Sequence, residues 1–116
     1  MHTELNTLIE TIKDDYKNWQ NDCYLADTDQ DGKTEIRNNM IREFNESIEV
    51  NPGKKYIKIV IKKSVWGFIV NVDNDKKFRK GDILKPAGWA TPARNAARGN
   101  IIDGGYKIAW TGPHYL

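Results

Sequence analysis

The chain has 116 residues, 39% of them hydrophobic, with one cysteine and a net charge of +2. That size supports one modest core, so the expectation is a single domain over residues 1–116, with no transmembrane run, no signal peptide at Met-His-Thr-Glu-Leu and hence a soluble, cytoplasmic protein. The net charge hides a split. Residues 1–50 hold 12 Asp/Glu against 5 Lys/Arg, and residues 51–116 hold 13 Lys/Arg against 4 Asp/Glu, a net −7 joined to a net +9. A field of that size can be answered by a polyanion or by the chain's own acidic half.

The first 26 residues carry a helical period in Leu5, Leu8, Ile9, Ile12, Tyr16, Trp19 and Cys23, with charged residues between them. Cys23 falls on the apolar stripe, where a thiol acts as a small hydrophobe, and as a lone cysteine it forms no internal disulfide. Residues 27–35, Asp-Thr-Asp-Gln-Asp-Gly-Lys-Thr-Glu, match the opening of an EF-hand loop. Asp27, Asp29, Asp31 and Glu35 are thus a weak calcium candidate. The close of the motif fails, because Asn38 stands where a bidentate Glu is needed, and no site tighter than roughly 0.1 mM is expected. The other reading is an interhelical turn in which Asp29 or Asp31 caps the next helix. That helix is predicted from Ile36, Met40, Ile41, Phe44 and Ile48, ending at Asn51-Pro52-Gly53.

From Lys55 the period changes to two. Residues 56–62 and 65–72 read as strands, residues 82–85 as a short third strand, and residues 101–108 as a hairpin around Gly104-Gly105, continuing through Trp110. The resulting fold class is α+β: an acidic N-terminal helical hairpin (1–50) packed on a basic β-module (51–116), a small, curved antiparallel sheet or SH3-like barrel. Leu8, Ile12, Trp19, Met40, Phe44, Ile59 and Ile61 are expected to share one core.

Between the third strand and the hairpin, Thr91-Pro92-Ala93-Arg94-Asn95-Ala96-Ala97-Arg98-Gly99 has the grammar of one short helix, with Thr as N-cap, Pro first and Gly at the stop. A helix would put Arg94 and Arg98 on one face, which calls for an anion between them. One candidate is internal: Asp82, Asp103 or a carboxylate from the acidic helices. The other is an external phosphate held by both guanidiniums, with Trp89 or Trp110 near enough to stack a base.

Catalytic patterns are scarce. His2 and His114 lie at opposite ends, no Cys/His set has zinc spacing, and there is no Walker A loop or dinucleotide fingerprint, so no catalytic residue or cofactor is assigned.

The string Lys76-Lys77-Phe78-Arg79-Lys80-Gly81-Asp82-Ile83-Leu84-Lys85-Pro86-Ala87-Gly88-Trp89, the 91–99 element and Tyr106-Lys107-Ile108-Ala109-Trp110-Thr111-Gly112-Pro113 resemble a group of small uncharacterised proteins of tailed bacteriophages. The likeness reaches back to Lys55-Tyr56-Ile57-Lys58 and does not include the Asp-rich turn. It implies a phage origin and action in the cytoplasm of an infected bacterial host, and it carries over no functional residue.

Two function classes follow. The first is a non-catalytic binder of nucleic acid or a nucleotide, with Lys76, Lys77, Arg79, Lys80, Arg94 and Arg98 on phosphates and Trp89 or Trp110 for stacking. The second is a protein-binding inhibitor or modulator of a bacterial host factor, in which the same arginines and aromatics anchor an interface. Salt dependence separates the two.

Overall fold

Leu8, Ile12 and Tyr16 recur at four-residue spacing, and all three are buried on one face of helix α1 (His2–Cys23) in the computed structural model, which describes residues 2–23 and 33–113. Gln20 continues the same face. It is buried but satisfied, its amide donating to the Tyr16 hydroxyl at 2.8 Å. Helix α2 (Lys33–Glu46) contributes Phe44, which is fully buried and stacks at 3.9 Å between ring centroids on Tyr16. Trp19, expected in the core, is 44% exposed and covers its rim through edge contact with Tyr16 at 5.7 Å. Met40 is only half-buried, and Ile36 faces solvent at 56% exposure.

The second helix ends sooner than its apolar period suggests. Ser47 caps it, its amide donating to the carbonyls of Glu43 and Phe44 and its hydroxyl to Phe44 at 2.6 Å. Ile48 then opens strand β1 (Ile48–Pro52) instead of closing the helix. Alternating β-branched residues suit a pleated surface, and the exposed edge of β2 (Tyr56–Ile61) takes up their backbone groups. Four antiparallel strands follow one another in space as in sequence: β1, β2, β3 (Ser64–Val70) and β4 (Ile83–Leu84). A separate hairpin, β5 (Ile108–Ala109) with β6 (Gly112–Pro113), turns at Trp110-Thr111 and not at Gly104-Gly105. Among the described residues the four-stranded sheet stays open, and no closed barrel forms.

Register decides what the sheet covers. Ile57, Ile69 and Ile83 lie side by side across β2, β3 and β4, and with Ile59 and Ile61 they meet Leu8, Ile12, Tyr16 and Phe44 from the helices. Phe68, Val70 and Leu84 point the other way, into a second cluster closed by Phe78 from the loop after β3. Both faces of β3 are therefore covered, which is why its last five residues are buried without alternation. Each fully buried Leu, Ile or Phe contributes about 1.5–3 kcal/mol.

The β2–β3 turn consists of Lys62 and Lys63, with φ of 49° and 64°. Two consecutive left-handed residues match the right-handed twist of the flanking strands, a conformation that Asn-Gly adopts with least strain and that lysine adopts against its own Cβ.

Candidate nucleic-acid interface

Residues 91–99 form no helix. Their backbone groups are taken by the neighbouring chain instead: Ala93 N donates to the Lys85 carbonyl and Arg98 N to the Ile83 carbonyl, both at 2.7 Å, and Pro86 bridges Pro92. The segment is laid alongside β4 as an extended return. Local capping grammar loses here to hydrogen bonds that only the folded sheet edge can offer. Arg94 and Arg98 consequently do not share a helical face.

Arg94 projects across the second hydrophobic cluster. Its terminal nitrogens donate to both oxygens of Asp75 at 2.9 Å, a third contact goes to the Tyr56 hydroxyl, and the guanidinium carbon lies 4.9 Å from the centroid of the Phe78 ring. Asp75 also accepts from the amides of Lys77 and Phe78 at 2.8 and 2.9 Å. Hydrogen bonding from Arg94, then from these two amides, holds the Asp75 carboxyl well below the usual aspartate range. Arg94 is pushed up in turn by Asp75 and Tyr56. The internal partner of Arg94 is thus Asp75, which was not among the sequence candidates. Asp82 instead accepts from the Arg79 amide and from Asn100 at 2.9 Å, and Asp103 pairs with the Arg79 side chain, raising it.

Around this clamp lies a cavity of about 460 Å³ lined by Lys54, Lys55, Val72, Asn74, Lys76 and the Arg94–Asp75 pair. Four cations there face one carboxylate that is already bonded to Arg94. Lys55 approaches Asp75 only to 3.8 Å, while Lys54 and Lys76 are exposed. Lys54 and Lys55 come from the β1–β2 turn and Lys76 from the loop after β3. The two are joined by Asn71, whose amide donates to the Lys55 carbonyl at 2.8 Å and whose side chain donates to Gly53 at 3.0 Å.

Trp89 lies over the same face of the sheet as the Arg94 clamp. It sits at the tip of a loop closed by the Ala87 and Gly88 amides on the Thr91 carbonyl, and it is 59% exposed. The Lys58 ammonium lies 3.7 Å from its ring centroid. Lys58 is two residues along β2 from Tyr56, whose hydroxyl touches Arg94, so the Trp89–Lys58 contact and the Arg94 clamp lie over one face of the sheet.

The remaining candidates are dispersed. Lys77 is exposed and donates to the Arg94 carbonyl at 2.6 Å, Arg79 is engaged by Asp103, and half-buried Lys80 offers its carbonyl to Asn100. Arg98 lies near Lys85, whose ammonium is pushed down first by burial and then by the Arg98 charge. Trp110 packs on Trp19 and Tyr16 at 5.0 Å each, with its amide held by Asp15 at 2.8 Å. It is a joint between helix and hairpin.

Sequence reasoning did not single out Lys54, Lys55 and Lys58. The available signal was a lysine pair following Pro52-Gly53, a turn that positions both at a strand mouth. Of the calcium candidates, Asp27, Asp29 and Asp31 lie outside the described residues, and Glu35 is exposed in the first turn of α2. Among the described residues no group of three His, Cys, Asp or Glu is arranged to hold a metal ion, and no helix is long and apolar enough to cross a membrane.

An open antiparallel sheet with helices on one face and a lysine-lined cavity on the other places this chain in the α+β class. It belongs to a family of unknown function, DUF7717, whose pattern matches residues 2–112. No curated protein and no solved structure matches it.

Proposed function

We propose that the basic β-module binds a phosphate-bearing ligand, nucleic acid or a nucleotide, without catalysis, as a phage accessory protein acting in the host cytoplasm. The observation that carries this reading is a lysine-lined cavity and an exposed tryptophan over one face of the sheet. Lys54, Lys55 and Lys76 supply point charges for phosphate oxygens, and the open face of Trp89 supplies a surface for one base. Arg94 does not clamp the phosphate. It holds the loop that carries Lys76 against the turn that carries Lys54 and Lys55. The phage origin rests on the likeness of residues 55–58, 76–89, 91–99 and 106–113 to tailed-phage proteins.

The test is a fluorescence-anisotropy titration of a labelled single-stranded oligonucleotide across a series of salt concentrations. Log affinity should fall linearly with log salt, and Lys54→Gln, Lys55→Gln and Lys76→Gln together should flatten the slope by about 2, at about 0.7 for each phosphate no longer neutralised. An unchanged slope in the folded triple variant refutes the phosphate cavity. Salt-insensitive capture of a bacterial protein, surviving nuclease, would move the function to modulation of a host factor.

A further inference from the structure

A second cavity, of about 280 Å³, opens at the opposite end of the β2–β3 hairpin. Its walls are Phe44 from α2, Ile61, Val65 and Trp66 from the hairpin, and Trp110 from the β5–β6 turn, with Lys62 at the rim. The Trp66 ring nitrogen is committed to the Ala109 carbonyl at 2.9 Å, so that indole presents carbon to the cavity, and the Trp110 ring is held by its packing on Tyr16 and Trp19 at 5.0 Å each. Among the described residues no carboxylate lines it, and the lining residues with polar side chains, besides the two tryptophans, are Lys62, Ser64 and Thr111. Apolar walls with a few orienting polar groups are the usual build of a small-molecule site.

The turn gives an independent reason to look here. Lys62 and Lys63 both hold left-handed backbone, φ 49° and 64°, where a glycine or asparagine would sit with less strain. Strained non-glycine positions cluster where the side chain is needed, and here two ammonium groups are concentrated at the end of the hairpin that bears the cavity. The Lys62 nitrogen lies 5.7 Å from the Tyr16 ring centroid, which keeps it on the helix side of the turn, where Phe44 forms the wall.

We propose that this cavity binds a small apolar monocarboxylate, its hydrocarbon body against Val65, Trp110 and the edge of Trp66 and its carboxylate on the Lys62 ammonium. The cation at the rim and the lack of any lining carboxylate select an anion over a neutral or basic molecule of the same shape. The site shares no residue with the lysine-lined cavity and stands independently of the phosphate reading.

Calorimetric titration of the full chain with octanoate, and with 1-octanol as the neutral control, tests it. Octanoate should bind at one saturable site and octanol about tenfold or more weaker. Lys62→Gln should weaken octanoate about tenfold and leave octanol unchanged. The double variant Lys62→Asn, Lys63→Gly should bind octanoate as weakly as Lys62→Gln while melting at a higher temperature, which separates impaired recognition from impaired folding. Absence of saturable octanoate binding to the wild-type chain, or equal octanoate affinity in Lys62→Gln, overturns the proposal.

Discussion

Arg94 and Asp75, nineteen residues apart, meet through two parallel hydrogen bonds of 2.9 Å, and that contact fastens the loop after β3 to the return strand beside β4. Because its pKa is lowered on folding, Asp75 contributes stability that is fully present above the ordinary aspartate range and is lost as pH falls from there towards its lower folded value. Asp75→Asn should therefore melt below the wild type at pH 7. The gap between the two should narrow as pH falls below about 4, where the unfolded aspartate begins to take up its proton. Thermal melts of both proteins across pH 2–7 check this, and a constant gap would contradict the folded-state pairing.

Trp89 carries little of the fold. With most of its ring exposed, Trp89→Ala should change stability by no more than about 0.5 kcal/mol. On the proposed function it should weaken single-stranded nucleic-acid binding by about 1–3 kcal/mol, the contribution of one stacked base. Paired measurements of melting temperature and affinity distinguish this platform from a core tryptophan such as Trp66, which is 3% exposed.

Phe44 joins the helices to the sheet, touching Tyr16 and Trp110. Phe44→Ala should cost about 3–5 kcal/mol in urea unfolding, whereas Ile36→Ala on the solvent side of the same helix should fall within about 0.5 kcal/mol. Comparable effects from both would mean that α2 is turned about its axis from the orientation described.

Replacing Lys62-Lys63 by Asn-Gly relieves two left-handed lysines and should raise stability by about 1 kcal/mol, partly offset by the freedom of glycine in the unfolded chain. Differential scanning calorimetry should show the melting temperature rising by several degrees. A fall would place the lysine side chains among the groups that hold the turn.

The change of period at Asn51-Pro52-Gly53 made the α+β class and the β2–β3 pair legible, since residues 56–70 alternate or run apolar as a covered sheet must. What the chain does at residues 91–99 was not legible. Thr91, Pro92 and Gly99 are local helix punctuation, and the acceptors that override them, the Ile83 and Lys85 carbonyls, lie 15 and 8 residues before their donors, in and just after β4. The same cause moved the last hairpin from Gly104-Gly105 to Trp110-Thr111, where Trp66 and Asp15 fix the flanking backbone. Charge counting found the basic half. It could not tell that Arg94 and Arg79 are committed to Asp75 and Asp103 while turn lysines remain at the cavity, because pairing depends on register and not on density.

Strand β1 leaves one side of the sheet with no neighbour among the described residues, and its make-up governs how the protein behaves when crowded. Exposed backbone of this kind is a template on which a second chain can extend the sheet, the first step towards fibres. Here the free strand is five residues long, carries Glu49 and ends in Pro52, which has no amide hydrogen to donate. Lys54 and Lys55 follow at once, so an incoming strand from another copy would meet a missing donor and then two like charges on its own matching turn. Edge-to-edge stacking on β1 would thereby be interrupted after a few residues, at the edge that the four-stranded sheet leaves unpaired among the described residues.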